Sequence, residues 1–288
     1  MSYSIFFNSE TGKGNIKKGT YLNYFKTRAN YTVSGDQAWY ENEVTGTYFS
    51  FFIRIEHDIE FDINVLRPHY FCLEANQEIL AFLRAFPSTM YDPQLEIQGK
   101  FDENKFFEKW QENNKAACKI AKSGSYLPDH RFLPTALLNK FWKWNYGIDD
   151  LINNTLRDLD VFIPQLMLYE GENGNIKLLS LWPEALPVVL PRDIDVMIGT
   201  SEQSLEKPTL HIVEYTLISN LIKKYEEPQS NQHYAVINYS KVPEDITALF
   251  QSKPSKLIQS NCLLHSGIII NSEHFDNQPT SCRSLLKK

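Results

Sequence analysis

A chain of 288 residues that is 42% hydrophobic and 22% charged, with 18 Phe, 15 Tyr and 5 Trp, can bury a large aromatic core, which excludes global disorder. A formal net charge of −6 opposes phosphate recognition, which needs a basic surface to displace counterions, so nucleic acid is not an expected partner and a basic protein is. No apolar run approaches the roughly 20 residues that span a bilayer, and Met1–Glu10 lacks the basic-then-apolar order of a secretory signal; no membrane association and a cytoplasmic location are expected.

Taken in chain order, Tyr3–Asn8 reads as a short strand, the Gly12-Lys13-Gly14-Asn15 stretch as a loop, and Tyr21–Val33 as ambiguous. Ala38-Trp39-Tyr40-Glu41 is strand-like, Asn42–Gly46 supplies turn residues, and the chain from Thr47 is rich in Tyr, Phe and Ile, which together predict a β-hairpin. Its second arm is predicted to run from Phe51 to Val65 as one long strand with a bend near His57 and Asp58. There Ile53, Ile55, Ile59, Phe61 and Ile63 share one parity, and Arg54, Glu56, Asp58, Glu60 and Asp62 the other. Ile79, Leu80, Leu83 and Phe86 predict a helix over 74–86, stopped by Pro87. Asp102 is placed to cap a helix through Phe106, Phe107, Trp110, Ala117 and Ile120.

Ser123–Pro134, with Gly124, Pro128 and Pro134, reads as a linker. The expected division is therefore 1–128 and 129–288, as two abutting subdomains or one packed unit. Pro134 suits the start of a helix running to Gly147, and Asp149–Leu156 reads as helical. Val161–Tyr169 and Ile176–Leu181 flank Glu170-Gly171-Glu172-Asn173-Gly174-Asn175, an Asn-Gly hairpin signal. Strands over 193–199 and 234–239, helices over 210–225 and 243–251, and a closing strand over 263–270 complete the prediction. Because strands come in hairpins and helices in separate runs, the class is α+β, with mostly antiparallel sheets and packed helices.

Catalytic signatures are scarce. Cys72, Cys118, Cys262 and Cys282 lie far apart with no C-x-x-C pair, which predicts reduced thiols and no zinc site. The seven histidines lack ligand spacing, and there is no G-x-S-x-G elbow, Walker loop or G-x-G-x-x-G turn. Asp193-Ile194-Asp195 with Glu214 is the nearest to a metal-binding group for phosphoryl transfer. The preceding Leu190-Pro191-Arg192 is not the Gly-Ser turn of a nucleotidyltransferase, and Thr216 stands where a Glu-x-Lys nuclease has lysine. No cofactor, no metal and no enzymatic activity are the expectation. A metal-dependent enzyme using Asp193, Asp195 and Glu214, or an adaptor in a larger assembly, are the alternatives.

Glu56, Asp58, Glu60 and Asp62 alternate along the predicted strand, about 6.5–7 Å between neighbours. Like charges so close cost folding free energy unless solvent screens them or a cation relieves them. Two accounts follow, a solvated sheet face and a docking strip for a basic protein. The aromatics Trp39, Tyr40, Tyr48 and Phe49 likewise serve as cross-strand packing pairs or as interface anchors.

The segment from Trp39 through Tyr40-Glu41-Asn42-Glu43-Val44-Thr45-Gly46-Thr47-Tyr48-Phe49-Ser50 to Phe51 resembles one in immunity proteins of bacterial polymorphic toxin systems, where a Tyr-x-Asn-Glu-x-Thr-Gly-x-Tyr-Phe hairpin lies near the N-terminus. The match covers about a twentieth of the chain. The resemblance implies a cytoplasmic protein that binds and neutralises the toxin domain of a cognate effector delivered by type VI or contact-dependent secretion. Such families share a role more than a fold, so no residue role transfers by motif. The expected partner-binding residues come instead from the hairpin and the acidic strip: Trp39, Tyr40, Glu41, Glu43, Glu56, Asp58, Glu60 and Asp62. The expected mechanism is occlusion of the toxin's active site.

Overall fold

The computed structural model describes residues 1–9, 18–54, 59–123, 131–171, 174–200, 209–252, 256–257, 263–264 and 269–271. The class is α+β, as expected. The chain divides into two compact units, one containing Met1–Leu138 with Ile269–Asn271 and the other Asn139–His265. No helix among the described residues is long and apolar enough to cross a membrane.

The first unit is built on β1 (Ser2–Ser9), α1 (Lys18–Lys26), β2 (Tyr31–Ser34), β3 (Gln37–Asn42), β4 (Thr47–Ile53), β5 (Ile59–Asn64), α2 (Tyr70–Ala85), β6 (Ser88–Asp92), β7 (Ile97–Gly99) and α3 (Glu103–Ser123). Its strands form one seven-stranded sheet in the order β2-β3-β4-β5-β1-β6-β7, antiparallel throughout. Period-two alternation sends Tyr3, Ile5, Phe7, Tyr40, Phe49, Phe51, Phe61 and Ile63 to one face, all buried. The helices cover that face. Phe25 of α1 lies 4.9 Å from Phe51, Phe82 of α2 lies 5.4 Å from Phe51, and Phe106 of α3 lies 5.4 Å from Tyr3. Each fully buried phenylalanine contributes about 1.5–3 kcal/mol of burial, so this aromatic layer is the main stabilising element of the unit.

The predicted hairpin of β3 and β4 is present, and α3 starts as expected, with Asp102 Oδ1 accepting from the Asn104 and Lys105 amides at 3.0 and 3.2 Å. Helix α2 begins a turn earlier than the apolar spacing indicated, at Tyr70, because Pro68 already offers its carbonyl to the Phe71 amide at 3.0 Å. The long strand over 51–65 is corrected. β4 and β5 are separate strands that pair antiparallel, Ser50 opposite Asp62, Phe52 opposite Glu60 and Ile53 opposite Ile59. Both halves keep the same parity, so a reversal leaves the same alternating pattern as a bend.

A second, small sheet of the first unit pairs β8 (Arg131–Leu133) in parallel with β16 (Ile269–Asn271). The predicted linker falls largely outside the described residues, as do 265–268 of the predicted closing strand. Leu263 forms an isolated antiparallel bridge to Tyr169.

The second unit takes most of α4 (Thr135–Tyr146), which starts after Pro134 as predicted, α5 (Ile148–Asp150) and a π-helical turn over Leu151–Thr155. Its sheet has the order β15-β13-β12-β10-β9, from β9 (Leu166–Glu170), β10 (Ile176–Trp182), β12 (Asp195–Thr200), β13 (Thr209–Val213) and β15 (Lys256–Leu257). The Asn-Gly hairpin joins β9 to β10, with Gly174 at φ 72°. β10 and β12 are parallel, the exception in this antiparallel sheet. β11 (Val188–Pro191) and β14 (Tyr234–Ile237) pair separately, and α6 (Tyr215–Lys224) and α7 (Glu244–Gln251) send Ile218, Ile222 and Ile246 into a core with Trp182, Val196 and Ile237. The helix predicted over 210–225 is corrected in its first part: Thr209–Val213 is a strand, and its alternating buried and half-buried residues had been absorbed into the helical spacing of α6.

Candidate functional site

The segment 39–51 is put to two uses, one on each face of the sheet. On the helix-covered face lies Glu74 of α2, fully buried. Its carboxylate accepts from the Tyr40 hydroxyl and the Asn42 amide at 3.1 Å each and from the Thr47 hydroxyl at 2.9 Å. Asn42 also closes the turn, its Oδ1 accepting from the Val44 and Thr45 amides at 3.1 and 3.4 Å, while Gly46 supplies φ 71°. The Thr45 hydroxyl donates to Thr47 at 3.1 Å, and the Tyr70 hydroxyl to the Thr45 carbonyl at 3.3 Å. A buried carboxylate is tolerated only when its lone pairs are filled, and the polar residues of the hairpin fill them. Tyr40, Asn42, Thr45, Gly46 and Thr47 therefore form a structural clamp. Tyr40, expected at an interface, is 3% exposed and is removed from it.

On the opposite face the first turn of α2 reaches Tyr48, whose ring meets Phe71 edge-on with centroids 5.4 Å apart. Register brings three rows together across this face: Trp39, Ser50, Asp62 and Ser4; Gln37, Phe52, Glu60, Phe6 and Tyr91; Glu41, Tyr48, Asn64 and Ser2. Trp39 is 36% exposed and stacks diagonally on Tyr48, with centroids 5.4 Å apart and rings 16° from parallel. Its indole N–H donates to Glu41 at 3.4 Å. Tyr48 is held from its other end, its oxygen accepting from Arg67 Nε at 2.9 Å and Asn64 at 3.3 Å. Further along, Tyr91 is 40% exposed beside Phe6, and Arg54 lies 5.5 Å over Phe52.

The acidic residues fare differently from one another. Glu41 and Glu43 are exposed. Glu56 and Asp58 lie outside the described residues. Glu60 is on the open face but only 9% exposed, and Arg54 pairs with it. Asp62 is half-buried, takes a hydroxyl from Ser4, and has no cationic partner among the described residues. Burial raises its pKa, with Glu60 adding to the rise and Ser4 and Arg54 opposing it. Of the four carboxylates, Glu60 and Asp62 sit two residues apart on β5, and Arg54, just past β4, pairs with Glu60. Beside Asp62 is an open pocket of about 300 Å³, lined by Trp39, Tyr48, Ser50, Asp62, Asn64 and Ser2 among others.

The sequence points to Trp39, Glu41, Glu60 and Asp62 on this face and offers Tyr48 as a packing partner or an anchor; it does not single out Phe52, Phe6 or Tyr91. The signal was available in the alternation of Ser2, Ser4 and Phe6 against Tyr3, Ile5 and Phe7, but not the pairing that sets β1 beside β5.

In the second unit, Asp195 receives Lys177 Nζ at 3.0 Å and the Tyr215 amide at 3.2 Å. Asp193 is exposed in a turn with φ 58°, and Glu214 stands at the N-cap position of α6 with no side-chain capping hydrogen bond. Among the described residues no three His, Cys, Asp or Glu side chains are grouped to hold a metal ion. Cys72 is buried and Cys118 half-buried, neither in a disulfide; Cys262 and Cys282 lie outside the described residues.

No protein family, curated protein or solved structure matches this chain. The geometry of the open face therefore carries the functional argument.

Proposed function

We propose that this chain is a cytoplasmic immunity protein that binds the toxin domain of a cognate antibacterial effector through the open face of its seven-stranded sheet and occludes the toxin's active site. The observation that carries the docking part is exposed Trp39, stacked on half-buried Tyr48, beside Asp62, a carboxylate held half-buried without a cation. Exposed Trp and Tyr on a rigid sheet are favourable anchors, because they offer large area at small entropic cost. An ionised, partly desolvated carboxylate gains most from a cationic group brought to it by a partner. The toxin part rests on the resemblance of segment 39–51, and the net charge of −6 suits a basic toxin domain.

The test is affinity capture of the tagged protein from the cells that make it, followed by co-expression of any recovered toxin domain with wild type or with a Trp39→Ala, Asp62→Lys double variant. The expected result is rescue of growth by the wild type and loss of rescue by the folded double variant. Rescue that survives the double substitution rejects the open face as the interface. Absence of any captured toxin, in cells shown to secrete effectors, rejects the immunity role.

A further inference from the structure

The pocket beside Asp62 has the chemistry of a receptor for one particular group. Its walls combine the stacked rings of Trp39 and Tyr48 with the Asp62 carboxylate and the polar side chains of Ser50, Asn64 and Ser2. Ser4 fills one site on Asp62. The carboxylate retains further acceptor capacity, since an ionised aspartate offers about four lone-pair positions. The cations of the region are engaged elsewhere. Arg54 pairs with Glu60, and Arg67 donates to Tyr48 and to the Leu66 carbonyl at 2.9 and 2.7 Å, lies 5.4 Å over the Tyr48 ring, and does not line the pocket.

The exposed ring of Trp39 beside a carboxylate selects a flat, delocalised cation over a compact one. A guanidinium can lie against the ring and direct two N–H groups at the carboxylate, whereas an ammonium is a strongly hydrated point charge with no plane to stack. About 300 Å³ of open space holds an arginine side chain with room to spare, but it is shallow and polar for a drug-sized ligand, which sites of 300–1,000 Å³ normally bury almost completely. An arginine presented by a protein surface fits both the volume and the openness.

We infer that this pocket receives an arginine side chain of the protein partner, with the guanidinium against Trp39 and its N–H groups on Asp62. The inference deepens the docking reading above and rests on it. Because the arginine neutralises a carboxylate that folding leaves uncompensated, it acts as the charge-specific anchor of the interface.

The pocket is tested without the natural partner, using N-acetyl-arginine methylamide and its citrulline counterpart, which keeps the shape of the group and removes the charge. The readout is the indole N–H resonance of Trp39 in the full-length protein, assigned by its disappearance in Trp39→Phe. Arginine is expected to shift it with a Kd on the order of millimolar, as suits a single exposed anchor. Citrulline is expected to bind about tenfold or more weakly, and Asp62→Asn, which keeps the shape of the side chain, to bring arginine down to the citrulline level. Equal binding of the two probes, or an arginine affinity unchanged in Asp62→Asn, overturns the inference. Failure here combined with toxin rescue that depends on Trp39 removes the pocket and leaves the function; arginine binding with no captured toxin keeps the pocket and removes the immunity role.

Discussion

Glu74 and Asp62 are two carboxylates on opposite faces of one sheet, and they are treated in opposite ways. Glu74, fully buried, receives three side-chain donors from β3 and β4. Asp62, half-buried on the open face, receives one hydroxyl. The first is satisfied within the fold; the second is left with capacity that only something outside it can fill. The difference teaches how to separate folding residues from recognition residues inside a single motif: by which face the side chain takes, and by whether its hydrogen-bonding capacity is spent.

The largest effect that could break this contrast is on stability. Glu74→Ala strands three buried donors and opens a cavity, and is expected to cost at least about 3 kcal/mol in denaturant unfolding; a cost under about 1 kcal/mol would show that the clamp is not a stabilising element. On the open face, Trp39→Ala is expected to change stability by no more than about 1 kcal/mol while weakening partner binding by about 2 kcal/mol, roughly 30-fold. A reversal of those two magnitudes would return Trp39 to a packing role.

Smaller effects sharpen the comparison. Thr47→Val removes one donor to Glu74 and is expected to cost about 1–2 kcal/mol, with coupling to Glu74→Gln of at least about 0.5 kcal/mol in a double-mutant cycle. The smallest effect is a pH dependence. Asp62 has a native pKa above its ordinary 3.8, chiefly because burial penalises the charge, so the native state holds its proton more tightly than the unfolded chain. Stability contributed by that proton is present at low pH and is lost as pH rises from the ordinary value through the raised one. Asp62→Asn should flatten this decline in unfolding curves taken over that range, and an identical decline in the variant would assign it to other groups.

How much of this was legible in the sequence depended on whether the information was local. The β3–β4 hairpin, the Asp102 cap and the antiparallel pairing of β9 with β10 are set by residues within a few positions of one another, and all three are present. The reversal between Ile53 and Ile59 was invisible, because strands of equal parity on either side of a turn give the same alternation as one strand. Tyr40 was misplaced because its partner, Glu74, lies 34 residues away on a helix. Asp62 was found for its charge, but what distinguishes it from Glu60 is the position of Arg54, which only the pairing of β4 with β5 determines.

The clamp at Asn42–Thr47 also decides what the rest of the protein is free to become. A one-residue slip of β3 would carry Trp39 inward and Tyr40 outward, and would leave Glu74 without the Tyr40 hydroxyl. With the register locked from the hidden side, substitutions at Trp39, Tyr48 or Asp62 are shielded from changing the architecture beneath them. The open face can thus be rewritten for a different partner, one side chain at a time, while the hairpin that presents it stays the same.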